Sequence, residues 1–107
     1  MSEKLRVTVA QAAFDFVRRQ APEARRSLRL AIRGLESERG DIKPLEGELA
    51  GLYRLRVGAH RVIFFYKIEP RGKRTNVCAF AEHRSVVYLM LNEMLRAGLI
   101  ARDKPET

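Results

Sequence analysis

The order of hydrophobic patterns along the 107-residue chain predicts an α+β fold with the element order β-α-α-β-β-β-α. Apolar residues recur at helical spacing in two adjacent segments near the N-terminus and in one near the C-terminus. Three segments between them are rich in β-branched and aromatic residues. Short turns join these segments, so they should pair as antiparallel neighbours. We therefore predict a small twisted, mainly antiparallel sheet with the helices packed on one face and the other face open.

The N-terminal half is predicted to contain the first strand and two helices. Residues 5–9 alternate between apolar and polar, and residues 10–20 place Ala13, Phe14 and Val17 on one helical stripe. Pro22 suits the first turn of a second helix, which we extend to residue 38. The opposite face of that helix, which we interpret as solvated, carries Arg25, Arg26, Arg29 and Arg33.

The C-terminal half is predicted to supply three strands and a final helix. Residues 41–50 contain Pro44 and Gly47 and are interpreted as a connection. Strands are predicted at residues 52–57, 61–68 and 75–81, with turns at 58–59 and 69–73. Ser85 is the predicted cap of a helix that runs to Arg96. We treat residues 1–107 as one domain, with a core at about residues 3–97 and a tail at 98–107.

The composition limits the classes of function. A net charge of +8 favours an anionic partner such as nucleic acid, an acidic protein or anionic lipid. The single cysteine, Cys78, rules out an internal disulfide bond and a cysteine-based zinc site. Bilayer-length apolar runs and signal-peptide patterns are absent, so we expect a cytoplasmic protein with no membrane partner. Phosphate-binding loops, metalloprotease motifs and nucleophile motifs are also absent, so we expect no cofactor and no metal.

One predicted strand carries arginines along one side. The segment LYRLRV at residues 52–57 alternates apolar residues with Arg54 and Arg56, the period-2 pattern of a half-buried strand. Arg61 follows a Gly-Ala turn on the next strand, and the hairpin should bring it beside the other two. Guanidinium groups bind phosphate oxygens in pairs and keep their charge at any working pH. Taken alone, the pattern fits a phosphate site and a solvated cationic surface equally well.

A second polar segment lies at the predicted junction between the last strand and the last helix, with His83, Arg84 and then Tyr88. RNA carries its own nucleophile, the 2′-hydroxyl. An enzyme cleaves it by aligning that hydroxyl, neutralising the phosphate and moving two protons. Arginines suit the charge neutralisation, and His83 and Tyr88 are candidates for the proton transfers. The alternatives, a structural histidine and a core tyrosine, stay open at this stage.

Two stretches together resemble the RelE/ParE toxin superfamily. They are LEGELAGLYRLRVGAHRVI at residues 45–63 and HRSVVY at residues 83–88. The superfamily pattern is a Leu-x-Gly segment, a Tyr-Arg-x-Arg-x-Gly-x-x-Arg strand pair and a His-Arg-x-x-x-Tyr segment. The order and lengths of the elements agree over about residues 3–97. The strand-pair motif is shared across the superfamily, whereas the final tyrosine favours the RelE branch.

The resemblance implies a toxin of a type II toxin–antitoxin pair. RelE-like members are metal-independent mRNA endoribonucleases that act in the ribosomal A site, whereas ParE-like members inhibit DNA gyrase without nuclease chemistry. The implied partners are a cognate antitoxin, mRNA and the ribosome, with a toxin–antitoxin hetero-oligomer as a further expectation. An antitoxin would cover the basic face with an amphipathic helix and acidic residues. An inactive RelE-like binding domain is the remaining alternative.

Carried over position by position, the resemblance implies roles for six residues. Arg54 and Arg56 match basic positions that contact RNA, and Arg61 matches the arginine that stabilises the scissile phosphate. The His-Arg pair of the family falls on His83 and Arg84. The tyrosine that stacks on a base or transfers a proton falls on Tyr88.

The chain also departs from the family pattern. Glu82 stands where well-studied RelE-type members have a further basic residue, and His60 stands where an aromatic residue is usual. The arginine strand contains no lysine that might act as the general base. The sequence therefore leaves the general base and general acid unassigned.

Overall fold

The fold is a five-stranded sheet with helices on both faces. The computed structural model describes residues 4–98, so the predicted tail lies outside the described residues from position 99 onward. The elements are β1 (Arg6–Val9), α1 (Gln11–Arg18), α2 (Pro22–Gly34), β2 (Asp41–Pro44), β3 (Tyr53–Val57), β4 (His60–Ile68), β5 (Arg74–His83) and α3 (Val87–Arg96). Single 3₁₀ turns at Leu35–Ser37 and Gly47–Leu49 flank β2.

The strands lie in the order β1-β5-β4-β3-β2. β1 runs parallel to β5, and each of the other neighbouring pairs is antiparallel. Short turns join β3 to β4 and β4 to β5, and such turns return the chain beside the strand it has just left. The predicted α+β class and the mainly antiparallel sheet are therefore confirmed.

The central strand β4 is apolar on both sides, because Val62 and Phe64 point to one face and Ile63 to the other. The first face packs against α1 and α2 through a core that includes Phe16, Val17, Leu28 and Ile32. The second face packs against α3, whose Val87 and Leu91 join Ile63, Leu52 and Phe80. The prediction that the helices share one face is wrong for α3. A strand that is apolar on both sides needs cover on both sides.

Residues 41–44 form the edge strand β2 and not the predicted connection. β2 pairs with β3 from Asp41, opposite Arg56, to Pro44, opposite Tyr53. Proline lacks an N–H donor, so its presence favours a connection when the sequence is considered alone. An edge strand tolerates proline because one side of its backbone needs no partner. The extra strand adds Asp41 and Lys43 to the sheet beside the arginine strand.

The junction between the last strand and the last helix also differs from the prediction. β5 continues to His83, and α3 begins at Val87 after a short turn. Ser85 does not cap this helix: its hydroxyl lies 2.8 Å from His83 Nδ1, and its backbone N–H donates to the same nitrogen. The predicted junction residues His83, Arg84 and Tyr88 therefore lie on a strand end, a turn and a helix, respectively.

Gly40, the residue before β2, offers a test of how tightly this edge strand is held. Its φ angle is +122°, and an added Cβ would lie 2.7 Å from Leu55 Cδ1 in the core. Gly58 in the β3–β4 turn also has a positive φ, +60°, but an added Cβ there meets open space. We expect Gly40→Ala to lower the free energy of unfolding by about 2–3 kcal/mol, because backbone strain and overpacking add.

The matched control Gly58→Ala should cost only about 1 kcal/mol, because it carries the backbone strain alone. Urea unfolding of both variants and of the wild-type chain measures the difference. Equal losses in the two variants would contradict the close approach of Gly40 to Leu55.

Candidate functional site

The strand register places three arginines on one face of the sheet, which we call the arginine face. Arg54 and Arg56 alternate along β3, and Arg61 on β4 lies directly opposite Arg56. Directly opposed residues of an antiparallel pair point to the same side, with Cα atoms about 4.5–5.5 Å apart. This is the face that α3 covers further along β4, at Ile63. The structure therefore places the arginines of β3 beside the arginine of β4, as the predicted hairpin indicated.

Arg54 is tied to the edge strand β2. Its Nη1 donates to the backbone oxygen of Asp41 at 3.2 Å and lies 3.3 Å from Asp41 Oδ1, and its side chain is only 17% exposed. This ion pair satisfies part of the Arg54 guanidinium before any ligand arrives. Arg56, in contrast, is exposed and has no ion pair with any residue in the range 4–98. Arg56 is therefore the freer of the two cations on β3.

The Arg61 side chain is fixed by the turn that precedes it. Its Nη1 donates to the backbone oxygens of Gly58 and His60, each at 2.9 Å. A guanidinium group has five N–H donors, so the Nη2 and Nε donors are not used by these bonds. The turn thus holds Arg61 in one orientation and leaves an edge of the group for an anion.

Glu82 is the residue on this face that sequence reasoning did not select. It lies directly opposite Arg61 on β5, so four strands carry one row in the order Asp41, Arg56, Arg61 and Glu82. The Glu82 Oε1 atom accepts a hydrogen bond from the backbone N–H of His83 at 2.9 Å. The result is a half-buried carboxylate, oriented by the backbone, beside the arginine that matches the family's phosphate ligand.

His83 lies on the other face of the sheet. It pairs directly with His60, and the two rings are 6.1 Å apart in an edge-to-face arrangement. The His60 ring in turn lies 5.5 Å from Phe16 of α1, which fixes this pair on the α1 side. Because the Ser85 N–H donates to His83 Nδ1, the neutral ring carries its proton on Nε2. The structure therefore does not bring His83 together with the arginines.

Burial lowers the pKa of His60, and the nearby His83 lowers it further. Glu82 opposes this shift and Arg61 adds to it. A histidine with a pKa below its usual value of about 6.5 is neutral at physiological pH. His60 thus serves as an uncharged packing partner beneath the turn that holds Arg61.

Arg84 lies in the β5–α3 turn, and Tyr88 lies at the start of α3. The Arg84 N–H donates to the Ala59 oxygen at 2.8 Å, which ties the β5–α3 turn to the β3–β4 turn. Tyr88, in the first turn of α3, is half-buried against the core cluster of Leu52 and Phe80. Arg84 and Tyr88 therefore lie on consecutive elements, a turn and a helix, that follow the end of β5.

Other kinds of chemistry find little support in the described part of the chain. Within residues 4–98 no three His, Cys, Asp or Glu side chains are grouped so that they could hold a metal ion. Burial raises the pKa of the Cys78 thiol to about 12, so this cysteine is not a nucleophile. None of the helices in the same range is long and apolar enough to cross a membrane.

Comparison with known proteins gives matches among solved structures alone. No protein-family profile and no functionally curated protein matches the sequence. The chain is similar to the RelBE2 toxin–antitoxin complex from Mycobacterium tuberculosis, with 26% identity, a TM-score of 0.59, and coverage of 76% of this chain and 99% of that chain. It is also similar to the archaeal RelE–RelB complex from Pyrococcus horikoshii, with 25% identity, a TM-score of 0.57, and coverage of 76% and 96%.

A third structure shares the fold at lower identity. The YoeB/ParE toxin from Agrobacterium tumefaciens is 16% identical, with a TM-score of 0.60 and coverage of 74% of this chain and 98% of that chain. The element order, the mainly antiparallel sheet and these similarities agree with one another. The chain is a RelE/ParE-like member of the toxin superfamily.

Proposed function

We propose that the chain is the toxin of a type II toxin–antitoxin pair and cleaves mRNA in the ribosomal A site without a metal ion. The observation that carries this proposal is the row of Arg56, Arg61 and Glu82 across the arginine face. Cleavage by the 2′-hydroxyl needs cations around the phosphate and a base beside them, and this row supplies both. The 25–26% identity to RelE-type toxins supports the assignment.

In this proposal the arginines bind the phosphate and stabilise the charge that develops on it. Arg61, fixed on the turn oxygens, is pre-oriented, so no reorganisation is needed as the transition state forms. Arg56 supplies a second guanidinium, which has no ion pair among residues 4–98, and Arg84 adds a third from the adjoining turn. Arg54, already bound to Asp41, contributes charge and holds β2 against β3.

The proton transfers are assigned by position on the arginine face. The 2′-oxygen attacks phosphorus and gives its proton to the Glu82 carboxylate, while the bond from phosphorus to the 5′-oxygen breaks. The leaving oxygen takes a proton from the Tyr88 hydroxyl, and the products are a 2′,3′-cyclic phosphate and a 5′-hydroxyl. We assign His83, which the resemblance linked to catalysis, a positioning role: it lies between Glu82 and Arg84 and holds Ser85 in the turn.

The same face suits an antitoxin as the inhibitory partner. The M. tuberculosis and P. horikoshii relatives were solved in complex with antitoxins. An acidic antitoxin segment laid over Arg56 and Arg61 would neutralise the cations that the phosphate needs. Inhibition then follows from occupation of the arginine face, without a change in the fold.

Gyrase inhibition is the alternative function within the superfamily. It requires a protein-binding surface and no proton-transfer pair, so it leaves the Arg61–Glu82 arrangement without a use. A supercoiling assay with the purified chain distinguishes the two functions. Inhibition of gyrase together with intact mRNA would replace our proposal with the ParE-like function.

We expect Arg61→Ala to abolish growth arrest when the chain is induced in a bacterial host. Loss of one pre-oriented donor to the transition state lowers cleavage by about 10²- to 10³-fold. Tyr88→Phe, which removes only the hydroxyl, should also abolish arrest. The control Arg26→Ala removes an exposed arginine on α2 and should leave arrest unchanged. Full toxicity of both site variants, at wild-type abundance, would contradict the assignment.

Glu82→Gln and His83→Gln test which residue is the general base. Glutamine keeps the shape of Glu82 but cannot accept the proton, so we expect cleavage to fall by about 10²- to 10⁴-fold. RNA binding should not weaken, because the substitution removes a negative charge from a cationic face. His83→Gln should retain most of the activity. Measured cleavage rates that rank the two variants in the opposite order would assign the base to His83.

A further inference from the structure

A second cationic site lies at the opposite end of the sheet from Arg61. The segment before β1, β1 itself and the β4–β5 hairpin enclose a cleft of about 800 Å³. The polar residues that line it include Lys4, Arg6, Glu69, Arg71, Lys73 and Thr75. These residues are far apart in sequence, and only the parallel pairing of β1 with β5 brings them together. We call this feature the distal cleft.

The distal cleft carries an excess of unpaired positive charge. Arg74 also lines it, but Arg74 is committed elsewhere: it pairs with Glu38 at 2.9 Å and stacks over the Tyr66 ring. The other four cations, Lys4, Arg6, Arg71 and Lys73, form no ion pair with any described residue. Among the described residues that line the cleft, the one carboxylate is Glu69, whose Oε1 accepts a hydrogen bond from the Thr75 hydroxyl at 3.3 Å. This end of the sheet therefore offers several cations to an anionic ligand.

The lining favours a phosphodiester backbone over a protein segment. The described residues that line the cleft include Leu5 but no aromatic side chain, whereas protein interfaces are anchored by buried aromatic and apolar groups. Lysine and arginine side chains on a bare turn are the usual contacts to nucleic acid phosphates, and they carry no sequence information. Gly72, at the tip of the hairpin with open space around it, allows a backbone to come close.

Two of the residues that line the distal cleft, Arg6 and Thr75, lie on the same side of the sheet as the arginine face. Residues at positions 61, 63, 65 and 67 alternate along β4, so Lys67 shares a face with Arg61. Lys67 pairs with Thr75, and Thr75 pairs with Arg6, which places these three side chains in one row. Six residues of strand separate this row from Arg61, a distance of about 20 Å.

We propose that the distal cleft binds the phosphate backbone of the same RNA strand whose scissile phosphate lies on the arginine face. This inference rests on the proposed function. A distance of about 20 Å sets a minimum of roughly six nucleotides of stacked strand, at 3.4 Å per nucleotide, because the strand must also pass around α3, which covers the middle of this face. The cleft then adds affinity through a second contact on one ligand, without taking part in the chemistry. It also adds salt dependence, because each neutralised phosphate releases counterions.

The test is RNA binding by a charge-reversed variant, Arg71→Glu/Lys73→Glu. Both residues are exposed on the hairpin, so the fold tolerates the change. The probe is a fluorescein-labelled, 2′-O-methylated uridine dodecamer, which cannot be cleaved, and its binding is followed by fluorescence anisotropy at several salt concentrations. We expect about tenfold or greater loss of affinity and a salt slope that is shallower by about 1–1.5. Wild-type titration should show one strand per protein.

The matched control is Arg26→Glu/Arg29→Glu on the exposed face of α2, which changes the net charge by the same amount. It should lower affinity much less than the hairpin variant. Equal losses in the two variants, or two strands bound per protein, would overturn the proposal. If the hairpin variant kept its RNA affinity but lost binding to polyglutamate, the cleft would be a site for an acidic protein.

Failure of this inference is separable from failure of the proposed function. The probe cannot be cut, so its binding does not depend on catalysis. If the chain cleaves mRNA but binds the dodecamer equally well with and without the hairpin charges, only the proposal for the distal cleft is wrong. If the hairpin variant loses affinity for the dodecamer but the wild-type chain leaves mRNA intact, only the nuclease assignment is wrong.

Discussion

The structure depends on the central strand β4, which is apolar on both faces and must be covered on both. Helices α1 and α2 cover one face completely enough to bury Val62 and Phe64. Helix α3 covers the other, but its ten residues span about 15 Å, whereas the nine residues of β4 span about 30 Å. Part of this face therefore stays open. The arginine face lies near His60 and the distal cleft near Ile68, so the two cationic sites lie at opposite ends of β4.

The arginines on the open face differ in how many ion pairs and hydrogen bonds they already form with other groups of the protein. Arg54 is paired with Asp41, Arg61 is held by two turn oxygens, and Arg56 forms no ion pair with any described residue. This gradation matters for catalysis, because a donor that is oriented in advance stabilises a transition state without reorganisation. Glu82 is likewise oriented by a backbone N–H. Two charged side chains at this end of the sheet, Arg61 and Glu82, are thus oriented by backbone groups.

Strand alternation and a short turn were enough to predict the arginine face, because Arg54, Arg56 and Arg61 depend only on local pattern and hairpin geometry. The residue of β5 that lies opposite Arg61 depends on the register between β4 and β5, which the hydrophobic pattern alone does not set. Continuing the pairing of Ile68 with Arg74 without interruption would put Ala81 opposite Arg61, but the shift between Ile63 and Phe64 puts Glu82 there. A single extra residue reverses which side chains face the site. That shift exchanges the faces of Glu82 and His83, so Glu82 and not His83 lies beside Arg61.

The central claim is that the arginine face cleaves RNA by means of the 2′-hydroxyl. The most direct measurement is primer-extension mapping of mRNA incubated with the purified chain and ribosomes in the presence of a metal chelator. A matched mRNA should carry one 2′-deoxynucleotide at the mapped position. We predict cleavage of the normal mRNA within the A-site codon, despite the chelator, and no cut at the deoxy position. Intact normal mRNA, or equal cleavage of both substrates, would contradict the account.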